Sequence, residues 1–172
     1  MKYCSSLISL ASLTRYGAVT EQEGFIHPYL RRPSFGRDGR RNHQLAEPQI
    51  GVQKQIFVYD VDDDPQVIIN PKIVESSGEW VYDEGCLSIP GLYVEMLRPK
   101  KVLVSGFTLE GDEVQIEADE LLARLFQHEI DHLQGVLMFD RMLPDQRELA
   151  IVEYAKVGDN PANAEPVYLR LS

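Results

Sequence analysis

His128-Glu129-Ile130-Asp131-His132 constrains this 172-residue chain more than any other stretch. Residues four apart on a helix lie one turn apart on the same face. Two neutral imidazoles so placed can share one transition-metal ion, and the carboxylate beside the first can act on a water held by that ion. The flanking sequence predicts the helix that this requires. Leu121, Leu122, Leu125, Phe126, Ile130 and Leu133 form an apolar stripe at helical spacing. Ala118 or Asp119 opens the helix, and Gly135 stands where a C-terminal cap belongs.

H-E-x-x-H also arises on ordinary surface helices, so the pattern needs a third ligand to carry weight. A catalytic site uses three protein ligands and one open position. No His or Cys follows His132, and Glu148 and Glu153 lie in a segment that reads as a solvated amphipathic helix. The remaining candidate lies upstream, in Glu84-Gly85-Cys86-Leu87-Ser88. A lone Cys86 is more often a small buried hydrophobe than a ligand. Beside H-E-x-x-H the balance reverses.

Composition bounds the alternatives. With 44% apolar and 26% charged residues the chain has the makeup of one folded domain. A net charge of −10 leaves no basic surface to offset phosphates, so direct nucleic-acid binding is not expected. Arg31, Arg32, Arg37, Arg40 and Arg41 cluster in a segment that reads as a solvated loop. Two cysteines, Cys4 and Cys86, do not make a disulfide framework. No apolar run reaches the roughly 20 residues of a membrane helix, and a cytoplasmic chain without a membrane partner is expected.

Three regions are expected: a poorly legible N-terminal segment over 1–41, a catalytic domain over 42–157 and a tail over 158–172. Leu7, Leu10 and Leu13 mark at most one short helix in the first. Strands are predicted over 50–60, 67–69, 72–76, 79–82, 94–97, 101–108 and 113–117. Asn70-Pro71 reads as a stop, Ser77-Gly78 and Glu110-Gly111-Asp112 as turns, and Pro90-Gly91 as the boundary of the cysteine segment. A last short helix is predicted near 146–154. The fold class is therefore α+β: antiparallel strands packed around a central metal-binding helix that carries H-E-x-x-H.

These residues carry a resemblance to the peptide deformylase family. That family is marked by a G-x-G-L-A-A-P-Q segment, an E-G-C-L-S segment and a Q-H-E-x-D-H segment. The second stands intact as Glu84-Gly85-Cys86-Leu87-Ser88 and the third as Gln127-His128-Glu129-Ile130-Asp131-His132. The first survives as Leu45-Ala46 and Pro48-Gln49-Ile50-Gly51, with Asn42 and Gln44 in place of its glycines and Glu47 in place of its second alanine. The resemblance covers about residues 45–145.

The resemblance implies hydrolysis of the N-formyl group from the starting methionine of nascent proteins, releasing formate. It assigns Cys86, His128 and His132 to one divalent metal ion, commonly Fe2+, with Zn2+, Ni2+ or Co2+ able to use the same ligands. Glu129 becomes the general base and then the general acid. The Leu87 backbone N–H and the Gln49 side chain become donors to the developing oxyanion. Gln44, Gly85 and Ile89 are substrate-binding candidates; Leu92, Tyr93, Leu125 and Ile130 are equally readable as groove or as core. The implied partner is a formyl-methionyl nascent polypeptide, at the ribosome. Asp131 and Gln127 are expected to steady the imidazoles, or Asp131 instead pairs with Arg98. Glu84 is expected to brace the cysteine loop. The altered first motif leaves a second expectation, a deformylase-like metal-binding protein with impaired or lost activity.

Overall fold

The computed structural model describes residues 43–46, 54–61, 64–86, 88–157 and 166–170. Among the described residues, eight strands form two sheets, accompanied by two 14-residue helices. The strands are β1 (His43–Ala46), β2 (Ile56–Val61), β3 (Asp64–Ser77), β4 (Trp80–Cys86), β5 (Ile89–Arg98), β6 (Lys101–Phe107), β7 (Glu113–Asp119) and β8 (Val167–Leu169). Helix α1 (Glu120–Leu133) follows β7, and α2 (Pro144–Val157) follows a 3-10 turn at Met138–Arg141. The larger sheet has the order β1-β2-β3-β6-β7 and is antiparallel throughout. The smaller has the order β4-β5-β8; β4 and β5 form a hairpin, and β8 runs parallel to β5. The mixed architecture of helices and largely antiparallel sheets agrees with the α+β expectation; the parallel β8 lies in a tail that shows little sequence pattern.

Several element boundaries differ from the sequence reading. Asn70-Pro71 does not stop a strand. Asn70 takes a φ of 51°, its N–H bonds to the Gln55 carbonyl at 2.7 Å, and β3 resumes after a register shift. Asn tolerates this left-handed conformation better than most residues. Pro90 and Gly91 likewise sit inside β5. There the pairing with β4 jumps from Gly85↔Tyr93 to Cys86↔Ile89, so the missing proline N–H falls in a bulge. Helix α2 begins at Pro144, earlier than expected, because proline suits the first helical position.

Helix α1 ends as the sequence implies. Gly135 has φ 73° and its N–H bonds to the His132 carbonyl, while the Val136 N–H bonds to that of Asp131. This is a Schellman ending, which satisfies carbonyls that the helix leaves without partners.

All eleven residues from Ala123 to Leu133 are buried, so α1 is enclosed on every side. One side joins the core on the larger sheet: Phe126 meets Phe57 at 5.6 Å and Tyr59 edge-on at 4.9 Å, and Ile130 and Leu133 pack in the same cluster. A second core lies on the smaller sheet and gathers Cys86, Leu92, Val94 and Met96 with Met138 and Phe139. Between the cores runs a buried polar seam where the other side of α1 meets β4 and β5. It contains Glu84, Arg98, Arg124, His128, Glu129, Asp131 and His132.

Candidate metal centre

The seam draws its groups from two directions. Arg124, His128 and His132 recur every four residues on α1 and so form one stripe. Glu84 and Cys86 alternate along β4 and face the same way, as a strand requires. The hairpin thus brings a thiol 42 to 46 residues away in sequence against the helix. Cys86 Sγ lies 3.2 Å from His132 Nε2, which lies 3.0 Å from His128 Nε2. Donor atoms of all three residues fall within 4.8 Å of one another, and all three side chains are buried.

The donor chemistry fits a transition-metal ion. Bond lengths of about 2.3 Å to sulfur and 2.0–2.1 Å to nitrogen place tetrahedral donors roughly 3.4–3.6 Å apart, a few tenths of an ångström beyond the separations here. The orientation of His128 fits as well. Its Nδ1 lies 2.8 Å from Glu84 Oε1. A ring nitrogen facing a carboxylate keeps its hydrogen, so Nε2 is the atom whose proton a cation can replace.

Electrostatics reinforce the arrangement. Burial alone would push the Cys86 thiol up, but the bonds and charge of His128 and His132 outweigh it and bring it down to about 5. The thiolate, the form that binds metals, is then present at neutral pH. Burial would lower His128, yet Cys86 and Glu84 raise it well above its ordinary value. Glu129 is only 1% exposed, and its Oε2 has no hydrogen-bond partner among the described residues. Burial, opposed by the two histidines, holds its carboxyl up at about 7. A carboxyl poised there can both take and return a proton near neutrality.

Glu84 does more than brace its loop. Its Oε1 accepts from His128 and from Arg98 Nη2 at 2.7 Å; its Oε2 accepts from Arg98 Nε at 2.7 Å and Arg124 Nη1 at 2.8 Å. Burial would raise its pKa, but His128 and Arg98 hold it well below the usual carboxylate range. Glu84, and not Asp131, is the carboxylate on an imidazole. Asp131 takes the other course open to it: it accepts from Arg98 Nη1 at 2.9 Å and from Arg141. The Gln127 amide donates to the Pro99 and Ala123 carbonyls and so works as a strut rather than on an imidazole.

Arg124 belongs to this seam and the half-exposed Arg141 reaches it through Asp131; the sequence offered no sign of either. An arginine beside leucines on a helix reads as surface charge, and Arg124 is buried against partners 28 to 44 residues away.

The other candidates divide by position. Ile89 is fully buried in the second core. Leu92 lies in that core too, Leu125 and Ile130 lie in the first, and Tyr93 is partly exposed. The ring of Tyr93 lies so close over Gly85 that an added Cβ would come within 2.7 Å of it. The backbone of Gln44 belongs to β1, paired with Tyr59. Gln49 and Leu87, together with Asn42 and Glu47 of the altered motif and the leucines near the N-terminus, lie outside the described residues. A groove of about 370 Å³ at the ends of β3, β6 and β7, lined by Ser77, Lys101 and Glu117 among others, contains none of the cluster.

The fold and this cluster define an α+β protein with a buried Cys/His/His site and, beside it, a buried carboxyl with one oxygen lacking a partner among the described residues. Known proteins agree. Residues 37–148 match the family model described as polypeptide deformylase. A peptide deformylase of Hydrogenovibrio crunogenus is 42% identical over 123 residues, covering 70% of this chain and 73% of the relative. Peptide deformylase 2 of Xanthomonas axonopodis pv. citri is 36% identical over 152 residues, covering 87% and 85%. The crystal structure of a peptide deformylase from Legionella pneumophila superposes with a TM-score of 0.63 at 40% identity, covering 70% of this chain and 73% of that one. One from Synechococcus elongatus, in complex with actinonin, gives 0.60 at 43% identity, covering 65% and 63%. The chain belongs to the polypeptide deformylase family.

Proposed function

We propose that this protein is a metal-dependent hydrolase that removes the N-formyl group from the N-terminal formyl-methionine of nascent proteins, releasing formate and a free amine. The carrying observation is the convergence of Cys86, His128 and His132 donors within 4.8 Å, next to a buried Glu129 oxygen with no partner among the described residues. Family membership supplies the substrate class.

Cys86, His128 and His132 would hold one divalent cation, Fe2+ first, with Zn2+, Ni2+ and Co2+ as alternatives. When bound, such a cation supplies Lewis acidity, easing the ionisation of a water and polarising a carbonyl oxygen. Glu129 accepts a proton from the attacking water. The water oxygen adds to the formyl carbon, the C–N bond breaks, and Glu129 returns the proton to the amine nitrogen. The Leu87 N–H and the Gln49 amide stabilise the negative charge that develops on the formyl oxygen. Gln44 and Gly85 contribute to the peptide groove. Ile89, fully buried in the second core, is the third candidate to shape it.

The catalytic unit is the segment 42–157. The working partner is the formylated nascent chain, met in the cytoplasm near the ribosome. Among the described residues no helix is long and apolar enough to cross a membrane. The alternative of a metal-binding relative without turnover gains no support from the family matches.

The test is cleavage of a formyl-Met peptide by anaerobically purified protein, with Glu129→Ala alongside. Formate release by the parent and its loss in the variant are expected. A metal-loaded parent that releases no formate would overturn the reading.

A further inference from the structure

Arg124 is buried, and its guanidinium bonds to three parts of the chain at once. Nη1 donates to Glu84 Oε2 at 2.8 Å; Nη2 donates to the Trp80 and Met96 carbonyls, each at 2.9 Å. Trp80 lies on β4 and Met96 on β5, so one side chain of α1 holds both strands of the hairpin. The Trp80 ring lies 5.2 Å from the guanidinium carbon, within cation–π range.

This placement matters because the three proposed metal ligands belong to different elements. Cys86 rides on β4, whereas His128 and His132 ride on α1. Arg124 sits one turn before His128 on the same stripe and ties that stripe to the opposite strand. It also fixes Glu84 in rotation. With Oε2 held by Arg124 and Arg98, Oε1 is left facing His128 Nδ1.

We propose that Arg124 is a positioning residue for the metal centre: through Glu84 and the hairpin carbonyls it sets the orientation of His128 and the separation of the Cys86 strand from the histidine helix. The proposal rests on the metal-binding reading above. It does not depend on the substrate. Neutral replacements remove one donor from each of the Trp80 and Met96 carbonyls and from Glu84 Oε2. Lysine restores the charge but not the planar fork, and a compact ammonium does not span three acceptors of fixed geometry.

The experiment loads the purified full-length protein with Co2+ and reads both affinity, by chelator competition, and the thiolate and ligand-field absorption bands. Arg124→Met and Arg124→Lys are expected to weaken Co2+ binding by about 10- to 100-fold and to shift the bands, the usual consequence of disturbing a partner of a metal ligand. Gly106→Ala, on β6, serves as a control that loses stability but keeps parental affinity and spectrum. That contrast separates positioning from a merely structural role.

Parental affinity and an unchanged spectrum in both Arg124 variants overturn the proposal. If Arg124→Met fails to fold, Arg124→Lys decides: parental binding in it makes Arg124 structural only. A parent protein without a Cys86-dependent Co2+ band overturns this proposal and the metal-binding reading together. Normal binding in the variants alone overturns only this one.

Discussion

Replacing Glu84 by Gln removes one negative charge from the centre of the buried seam and leaves one oxygen where two had accepted four hydrogen bonds. The new amide nitrogen, a donor, must face Arg98, Arg124 or His128, all of which donate. Arg98 keeps Asp131, but Arg124 loses its only ionic partner among the described residues. Breaking a buried ion pair from one side costs about 3–5 kcal/mol. That is a large share of the roughly 5–15 kcal/mol that holds a domain together. At about 2–4 °C per kcal/mol for a chain of this size, the melting temperature should fall by roughly 6–20 °C.

Acid behaviour should change too. Glu84 is held below the usual carboxylate range, so it contributes stability above its unfolded pKa and loses that contribution as pH falls toward its folded value. Glu84→Gln should therefore flatten the acid side of the stability profile. Differential scanning calorimetry across pH 3–8 (about the range in which folded carboxylates are informative) checks both points. A variant melting within about 2 °C of the parent at neutral pH, with an unchanged acid limb, would refute the four-bond account of this residue.

Three further outcomes are expected. Cys86→Ala should abolish metal retention on gel filtration, measured by elemental analysis; one equivalent still bound would exclude Cys86 as a ligand. Glu129→Ala should keep the metal but lose at least about 10²-fold in formyl-Met peptide hydrolysis, the usual scale for a proton-transfer group; an activity near parental would remove Glu129 from that role. Gly106→Ala should cost about 1–3 kcal/mol in denaturant unfolding, because its Cβ would meet Ile68 Cγ2 at 2.5 Å and the Ile69 carbonyl at 3.0 Å; an unchanged midpoint would show that β3 yields there.

The sequence revealed most where structure is local. The stripe from Leu121 to Leu133 and the glycine at 135 announce α1 and its ending because helical period and left-handed backbone leave marks on neighbouring residues. The Cys86, His128 and His132 cluster was legible as well, since Cys86 and H-E-x-x-H together carry a family pattern. Legibility fails where partners are distant. Asn70-Pro71 and Pro90-Gly91 look like breaks, yet each falls at a register shift that only the neighbouring strand explains. Three residues suffice for β8, too few to show a period. The distribution of carboxylate roles was hidden for the same reason. Nothing near Glu84 or Asp131 says which of them faces an imidazole and which faces Arg141.

The thiol is seated in one apolar core and the two imidazoles on a helix anchored in the other. Repacking in either core therefore shifts the thiol relative to the imidazoles. A substitution at Met96 or Phe57 needs to slide one half past the other by only about an ångström to disturb the cluster. Tight packing of the interior and alignment of the cluster thus depend on the same degree of freedom.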